Sequence, residues 1–327
     1  MNILYIGKPP TSRYTAAAKQ VWLDAFDIAL DGRYTYTLFD WEQPHAQQFD
    51  GVDTVVDTAV NEGDDSLIDI ASAAGVRLWQ ATSVGVDHIN VARFHELNLP
   101  LAHSPGSSSS IPLAEHALMF IMAFTKNLYY NRTDPWQRQI SHELAGSVLG
   151  IIGLGASGRA LAKRAAALGM RIMAIDILEF DQSVIDEYQV EFLGKPDQLH
   201  EMLAQIDYVS MHAPLYDLTR HMLDWQAFEQ MKSSAVLINV ARGSLVDETA
   251  LVQALTTGQI RGAGLDVFET EPLPVDHPLQ KLDNVILSPH CAGYTPETRR
   301  RRLGIAVENI VRLDAGQEIL HLVTEDY

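Results

Sequence analysis

Hydrophobic and polar positions alternate along this chain in a regular way: short apolar runs are separated by stretches with helical spacing. In the first third, residues 2–6, 35–39, 52–57, 77–81 and 99–103 read as strands. Amphipathic segments at 16–29, 66–74 and 87–97 lie between most of them. Strands alternating with helices predict parallel βαβ units with helices on both sheet faces. The loop Ser104-Pro105-Gly106-Ser107-Ser108-Ser109-Ser110 follows, and its last serines are expected to cap a long apolar helix from Ile111 to about Lys126. After a polar, irregular stretch at 127–142, the alternation restarts with strands at 147–152, 171–175, 207–212, 235–240, 262–267 and 284–288. Helices fit 157–168, 199–205, 224–231 and 248–257, and one helix over 296–315 closes the chain. The expected fold class is therefore α/β with two doubly wound parallel-sheet domains, and no repeat of solenoid length interrupts it.

Length agrees with two domains, since 327 residues exceed the usual size of one core. The 47% apolar and 20% charged composition is that of an ordinary globular protein. A formal net charge of −18 works against nucleic acid and anionic membranes as partners. The most apolar stretch, 111–124, contains Glu115 and His116 and is too short to span a bilayer. No basic leader precedes the first strand, and the single cysteine, Cys291, cannot form an intramolecular bridge, so a cytoplasmic protein is expected. The run Arg299-Arg300-Arg301-Arg302 is read as salt bridges on a solvated acidic surface.

Candidate chemistry starts at Gly153-Leu154-Gly155-Ala156-Ser157-Gly158. A GxGxxG is weak evidence alone, but here an apolar strand leads in and a strongly helical segment leads out. Gly153 permits the tight turn, Gly155 lets backbone approach a pyrophosphate, and Gly158 allows close helix–strand packing. The N–H groups of Ala156 and Ser157, at the helix start, would then face the phosphate anion. The next strand ends in Asp176, where a carboxylate accepts the ribose hydroxyls of NAD and repels the 2′-phosphate of NADP. No arginine or lysine follows in Ile177-Leu178-Glu179, so NAD is expected. The alternative for Asp176 is a strand-end carboxylate capping the next turn.

Three downstream segments carry a resemblance: Asn239-Val240-Ala241-Arg242-Gly243-Ser244-Leu245-Val246-Asp247, Gly264-Leu265-Asp266-Val267-Phe268-Glu269-Thr270-Glu271-Pro272, and Ser288-Pro289-His290-Cys291-Ala292-Gly293-Tyr294-Thr295. Together with the glycine loop, with Ser83-Val84-Gly85-Val86-Asp87-His88-Ile89, and with Pro105-Gly106 followed by Ala114-Glu115-His116-Ala117, the chain resembles the D-isomer-specific 2-hydroxyacid dehydrogenases. That resemblance implies a Rossmann NAD-binding domain, residues 102–290, inserted into a flavodoxin-like substrate domain made of 1–101 and 291–327. It implies Arg242, Glu271 and His290 as the catalytic set. Reducing a 2-keto acid needs a cation for the carboxylate and a proton donor for the new alkoxide. Arg242 offers a planar fork that binds a carboxylate and polarises the keto oxygen. His290 can give and take a proton near neutral pH, and Glu271 would orient the ring and stabilise its imidazolium.

By the same resemblance, backbone amides at Val84 and Gly85 would hold the substrate carboxylate, His290 and Arg242 would also touch substrate, His212, Pro214, Thr219 and Gly293 would bind the cofactor, and Val240, Ala241 and Asp266 would flank the nicotinamide. Cys291 is taken as a small packing residue. The loop Asp57-Thr58-Ala59-Val60-Asn61 carries no cation where some relatives place an arginine, so Thr58 or Asn61 would have to serve there. Glu271, rather than glutamine, argues against the formate dehydrogenase branch. With no regulatory domain after Tyr327, a phosphoglycerate dehydrogenase role is disfavoured, and glyoxylate, hydroxypyruvate and similar small keto acids are the expected substrates. A homodimer through the cofactor domain is implied by analogy, with helix 111–124 as a contributor. The alternative from another class is a non-catalytic NAD(H)-sensing binding protein resembling the C-terminal-binding corepressors. Those relatives keep the same three residues, but no disordered tail or basic recognition region is visible here.

Overall fold

The computed structural model describes residues 1–9, 16–58, 65–128 and 140–324. The chain divides into two compact units, Met1–Ser108 with Tyr294 onward, and Ser109–Gly293. These limits fall a few residues beyond 101/102 and 290/291, because the strand-exit loop stays tied to the first unit: His103 N–H donates to the His321 carbonyl (3.0 Å) and Arg301 Nε to the Ser108 carbonyl (2.7 Å).

In the first unit the elements run β1 (Ile3–Ile6), α1 (Ala16–Leu30), β2 (Tyr36–Leu38), α2 (His45–Gln48), β3 (Thr54–Asp57), α3 (Ser66–Ala73), β4 (Leu78–Ala81), α4 (Val91–Glu96) and β5 (Leu101–Ala102). The five strands pair in parallel in the order β2-β1-β3-β4-β5, the flavodoxin-like winding. Helices on both faces explain why β1 and β3 are buried at every position rather than at alternate ones. Leu4, Ile6 and Val55 pack with Trp79 and Phe94 on one face, and Ile3, Tyr5 and Val56 with Phe26, Leu303 and Ile310 on the other. Leu303 and Ile310 belong to the chain's last helix, Pro296–Asp314, whose buried Asn309 also donates to Gln80 Oε1 on β4 (2.7 Å).

The second unit continues with α5 (Ser110–Thr125), β6 (Val148–Ile152), α6 (Ala156–Ala167), β7 (Arg171–Ile175), α7 (Gln182–Glu187), β8 (Val190–Gly194), α8 (Leu199–Leu203), β9 (Tyr208–Met211), α9 (Trp225–Gln230), β10 (Val236–Asn239), α10 (Glu248–Thr257), β11 (Gly262–Leu265) and β12 (Val285–Leu287), and the last helix is α11. Its seven parallel strands are ordered β12-β11-β10-β9-β6-β7-β8, so the winding reverses between β6 and β9. This is the Rossmann arrangement, which binds ligands beyond the carboxyl ends of the strands at that reversal. Helix α5 lies close over the sheet: a Cβ on Gly264 would stand 2.6 Å from the Phe120 ring, and one on Gly262 would stand 2.5 Å from that of Phe124. Among the described residues no helix is long and apolar enough to cross a membrane.

Several elements depart from the sequence pattern for identifiable reasons. Helices α2 and α7 bury no residue and so have no apolar stripe to announce them. Strand β8, with its exposed Glu191, is a sheet edge and lacks a strong apolar run. Helix α4 starts at Val91 because Asn90 Oδ1 accepts the Arg93 N–H (3.1 Å). Ser109 takes the N-cap position of α5 without a side-chain bond, and Pro112 supplies no N–H at the third helical position, one of the two that a cap normally accepts from. The arginine run is not a solvated face: Arg299 is 6% exposed and stacks 4.0 Å over the Tyr294 ring, Arg301 binds the Ser108 carbonyl, and Arg300 is exposed. Residues 129–139 of the polar stretch, and Ala59, Val60 and Asn61, lie outside the described residues.

Candidate active site

Every strand of the second sheet from β6 to β12 except the edge strand β8 delivers a candidate residue at its carboxyl end. The glycine loop leaves β6 at the winding reversal. Gly153 has φ +95°, and a Cβ there would stand 2.6 Å from the Ala213 nitrogen, so the loop lies directly against the segment leaving β9. A Cβ on Gly158 would approach the Gly153 carbonyl oxygen to 2.1 Å, which is how the first turn of α6 closes onto the strand. Gly155 is different: it is exposed and a Cβ would meet nothing within 4 Å, leaving backbone open to a ligand. Among the described residues no hydrogen bond occupies the N–H groups of Ala156, Ser157 or Gly158; the first helical bond runs from Arg159 N–H to the Gly155 carbonyl (2.9 Å). Unpartnered N–H groups at a helix start form an anion site.

Asp176 stands at the end of β7 with Oδ2 accepting the Leu154 N–H (2.6 Å) and Oδ1 accepting the Leu178 N–H (2.8 Å). It therefore caps the following turn and also pins its carboxylate beside the glycine loop. His212, after β9, sits between two serines: Nδ1 is 3.0 Å from Ser157 Oγ and Nε2 is 2.9 Å from Ser210 Oγ. Burial pushes its pKa down to about 3, so the ring is neutral at physiological pH and ties the first turn of α6 to β9. Thr219 folds its hydroxyl back onto the Pro214 carbonyl (2.8 Å), closing the turn that carries both residues.

The loops after β10, β11 and β12 bring the charged residues together. Val240 and Ala241 are buried, and Asn239 holds the bend by accepting the Ala241 N–H (3.1 Å) and donating to the Arg242 carbonyl (2.8 Å). Glu271 Oε1 accepts the Phe268 N–H (3.0 Å), and Oε2 lies 2.6 Å from His290 Nδ1. Burial works to raise the Glu271 pKa, but the hydrogen bond from His290, that ring's charge, the Phe268 N–H and the Arg242 charge outweigh it and hold the carboxyl below its ordinary range. An ionised carboxylate only accepts, so His290 Nδ1 carries the proton of that bond, and among the described residues no hydrogen bond engages Nε2. His290 sits at φ +50°, in the left-handed region that a non-glycine residue enters at a cost, and its side chain is 51% exposed.

Comparison with known proteins bears on this site. Residues 116–292 match the family model described as D-isomer specific 2-hydroxyacid dehydrogenase, NAD binding domain. A glyoxylate reductase of Korarchaeum cryptofilum is 35% identical over 265 residues, covering 78% of each chain. The chain belongs to the D-isomer-specific 2-hydroxyacid dehydrogenases. An (S)-sulfolactate dehydrogenase of Chromohalobacter salexigens is 36% identical over 235 residues, covering 70% of this chain and 74% of that one. Among solved structures, the NAD-complexed D-isomer specific 2-hydroxyacid dehydrogenase of Lactobacillus delbrueckii ssp. bulgaricus superposes with a TM-score of 0.81 at 26% identity, covering 99% of this chain and 100% of that one.

The protein is thus an NAD-dependent D-2-hydroxyacid dehydrogenase, and the relatives' enzyme names do not favour the non-catalytic binding-protein alternative. NAD supplies the hydride when bound. The open backbone at Gly155, the unpartnered N–H groups of α6 and the carboxylate of Asp176 suit a pyrophosphate with a ribose beside it.

Other residues singled out in the sequence take places of their own. Asp266 is fully buried: Oδ1 accepts the Ser288 hydroxyl (2.5 Å) and the Cys291 N–H (2.9 Å), and Oδ2 accepts the Ala292 N–H (2.7 Å). It therefore ties the dehydrogenase's His290 loop to β11, and Gly293 ends that unit. In the first unit, Val84 and Gly85 lie in the turn after β4, with the Val84 carbonyl 2.8 Å from His103 Nδ1. Thr58 is buried and spends its hydroxyl on the Ile6 carbonyl (3.1 Å). Sequence reasoning assigned no role to Gly243, Ser288 or His116. Gly243 packs against backbone at Phe268, and His116 Nε2 is 2.8 Å from Ser288 Oγ. Only their positions inside the shared motifs signalled them.

Proposed function

We propose that this dehydrogenase reduces a small 2-keto acid to the D-2-hydroxy acid with Arg242, Glu271 and His290 as its catalytic groups. Arg242 binds the substrate carboxylate and polarises the keto oxygen. His290 donates its Nε2 proton to that oxygen as the alcohol forms, and recovers it from solvent. Glu271 fixes the ring through Nδ1 and supports the charged form. The 2.6 Å contact between His290 and Glu271 carries the reading, because it leaves one ring nitrogen free for exchange and assigns the other. The same reading assigns the pyrophosphate to the Ala156 and Ser157 N–H groups and the ribose to Asp176.

Glyoxylate and hydroxypyruvate, among small keto acids, are the expected substrates; the glyoxylate reductase relative supports that class. A spectrophotometric panel following NADH oxidation with glyoxylate, hydroxypyruvate, pyruvate and larger 2-keto acids should give turnover, with a D-configured product wherever the product is chiral. Tight NADH binding without turnover of any of them would overturn the reading.

Assembly as a homodimer through the cofactor domain belongs to the same proposal. Ile111, Met119 and Met122 are 44%, 49% and 38% exposed along one side of α5, and Leu128 beyond it is 61% exposed. A stripe of large apolar side chains facing water suits an interface between copies. Light scattering should report two chains of 36.3 kDa each, and a monomeric mass would reject it.

A further inference from the structure

We propose that His116, Asp266 and Cys291 form a binding site for a zinc-type divalent cation, and that occupancy suppresses turnover by locking the loop that carries His290. The suppression rests on the role given to His290 above; the binding does not. The three residues come from α5, the end of β11 and the loop after β12, and all lie within the second unit. Their donor atoms, an imidazole nitrogen, a carboxylate oxygen and a thiol sulfur, lie within 4.8 Å of one another, and His116 Nε2 is 3.6 Å from Asp266 Oδ1.

A tetrahedral zinc ion with ligands at roughly 2.0–2.3 Å needs donors roughly 3.3–3.7 Å apart. The His116–Asp266 edge already has that length, and no pair of the three donors is more than 4.8 Å apart. A mixed nitrogen, sulfur and oxygen donor set favours zinc-type ions over magnesium or calcium, which prefer oxygen alone. Three protein ligands leave a fourth position for water.

The protons can be accounted for. Ser288 gives its hydroxyl proton to Asp266, so His116 Nε2 donates to Ser288 Oγ in the absence of metal. On binding, the Ser288 hydroxyl gives up its bonds to His116 Nε2 and Asp266 Oδ1 and turns aside, the ring proton passes to Nδ1, the Cys291 thiol releases its proton to solvent, and nitrogen–, oxygen– and sulfur–metal bonds form. The Cys291 and Ala292 N–H groups still orient the Asp266 carboxylate from outside the ligand shell.

Locking follows from connectivity. His290 is the residue before Cys291, and its N–H donates to the Asp266 carbonyl (2.7 Å). A metal joining Cys291 to α5 and β11 would hold this segment where the bond to sulfur requires. The other reading of the cluster is a hydrogen-bonded clamp with no metal affinity.

The test uses the full chain stripped with a chelator. Equilibrium dialysis against zinc chloride should give about one zinc per chain, with affinity weakened at least about tenfold in Cys291→Ser and in His116→Gln. Cobalt in place of zinc should add a near-ultraviolet thiolate band that Cys291→Ser lacks. Zinc at the same concentration should slow NADH oxidation at least about tenfold in the wild type. It should leave Cys291→Ser unaffected, with the variant's zinc-free rate matching wild type. Binding that is absent, or equal in wild type and Cys291→Ser, overturns the site. Binding through Cys291 without slowing overturns the lock. Dialysis needs no substrate, so its outcome stands apart from whether a keto acid is turned over.

Discussion

Replacing His290 with alanine is expected to lower the turnover number by about two orders of magnitude or more while NADH affinity stays within about twofold. The reason is local. His290 Nδ1 is held 2.6 Å from Glu271 in a half-exposed side chain, so the ring is a positioned proton donor and no part of the glycine loop depends on it. Glu271→Gln should lower turnover less, because the ring stays and only its ionised partner at Nδ1 is replaced by a neutral amide. Since the Glu271 carboxyl is held below its ordinary range, the wild-type carboxylate persists as pH falls until it reaches that lowered value. Turnover at saturating keto acid, together with a fluorescence titration of NADH, would measure both quantities. A His290→Ala rate near wild type would remove His290 from the chemistry.

Gly243→Ala is expected to lower turnover by roughly a hundredfold through misplacement alone, without touching any charged group. A Cβ at Gly243 would stand 1.9 Å from the Phe268 carbonyl carbon, 2.0 Å from its oxygen and 2.4 Å from the Glu269 nitrogen. Backbone cannot rotate away as a long side chain can. Either the loop bearing Arg242 or the segment bearing Glu271 must retreat, and the two would no longer face one substrate. Overpacking of this kind also costs about 1–3 kcal/mol of stability, visible as a lower melting temperature. NADH affinity should change little, since the glycine loop lies elsewhere. Gly304→Ala in α11 is the control, because a Cβ there meets nothing within 4 Å. Wild-type turnover and melting in Gly243→Ala would show that the two loops do not depend on this contact.

Much of this architecture was legible in the chain because its causes are local. Runs such as Val148–Ile152 are apolar at every position, and only a sheet covered on both faces explains that. The glycine loop was readable for the same reason: a turn at Gly153 and close packing at Gly158 are requirements of neighbouring backbone. What stayed hidden had no periodic signal. Helix α7 buries nothing, β8 is an edge, and the serine cap on α5 went unmade beside Pro112. The four arginines looked like a solvated face, yet Arg299 is buried against Tyr294 and Trp22, a placement set by the tertiary packing of α11.

The candidate site divides along the same line. By itself the sequence determined which residue types were available at the strand ends and their order, hence the family resemblance, the dinucleotide loop and the choice of Arg242, Glu271 and His290. Only the tertiary structure decided how they meet. Glu271 and His290 are brought to 2.6 Å by strands that are neighbours in the sheet, and Gly243 sets the spacing of the loops behind them. Asp266 shows the difference most plainly. The sequence offers a carboxylate at the end of a strand, and the fold buries it with Ser288, Cys291 and Ala292 as its donors. A buried carboxylate must find its donors wherever the chain returns, and those partners lie in a segment that only the folded sheet brings back to it.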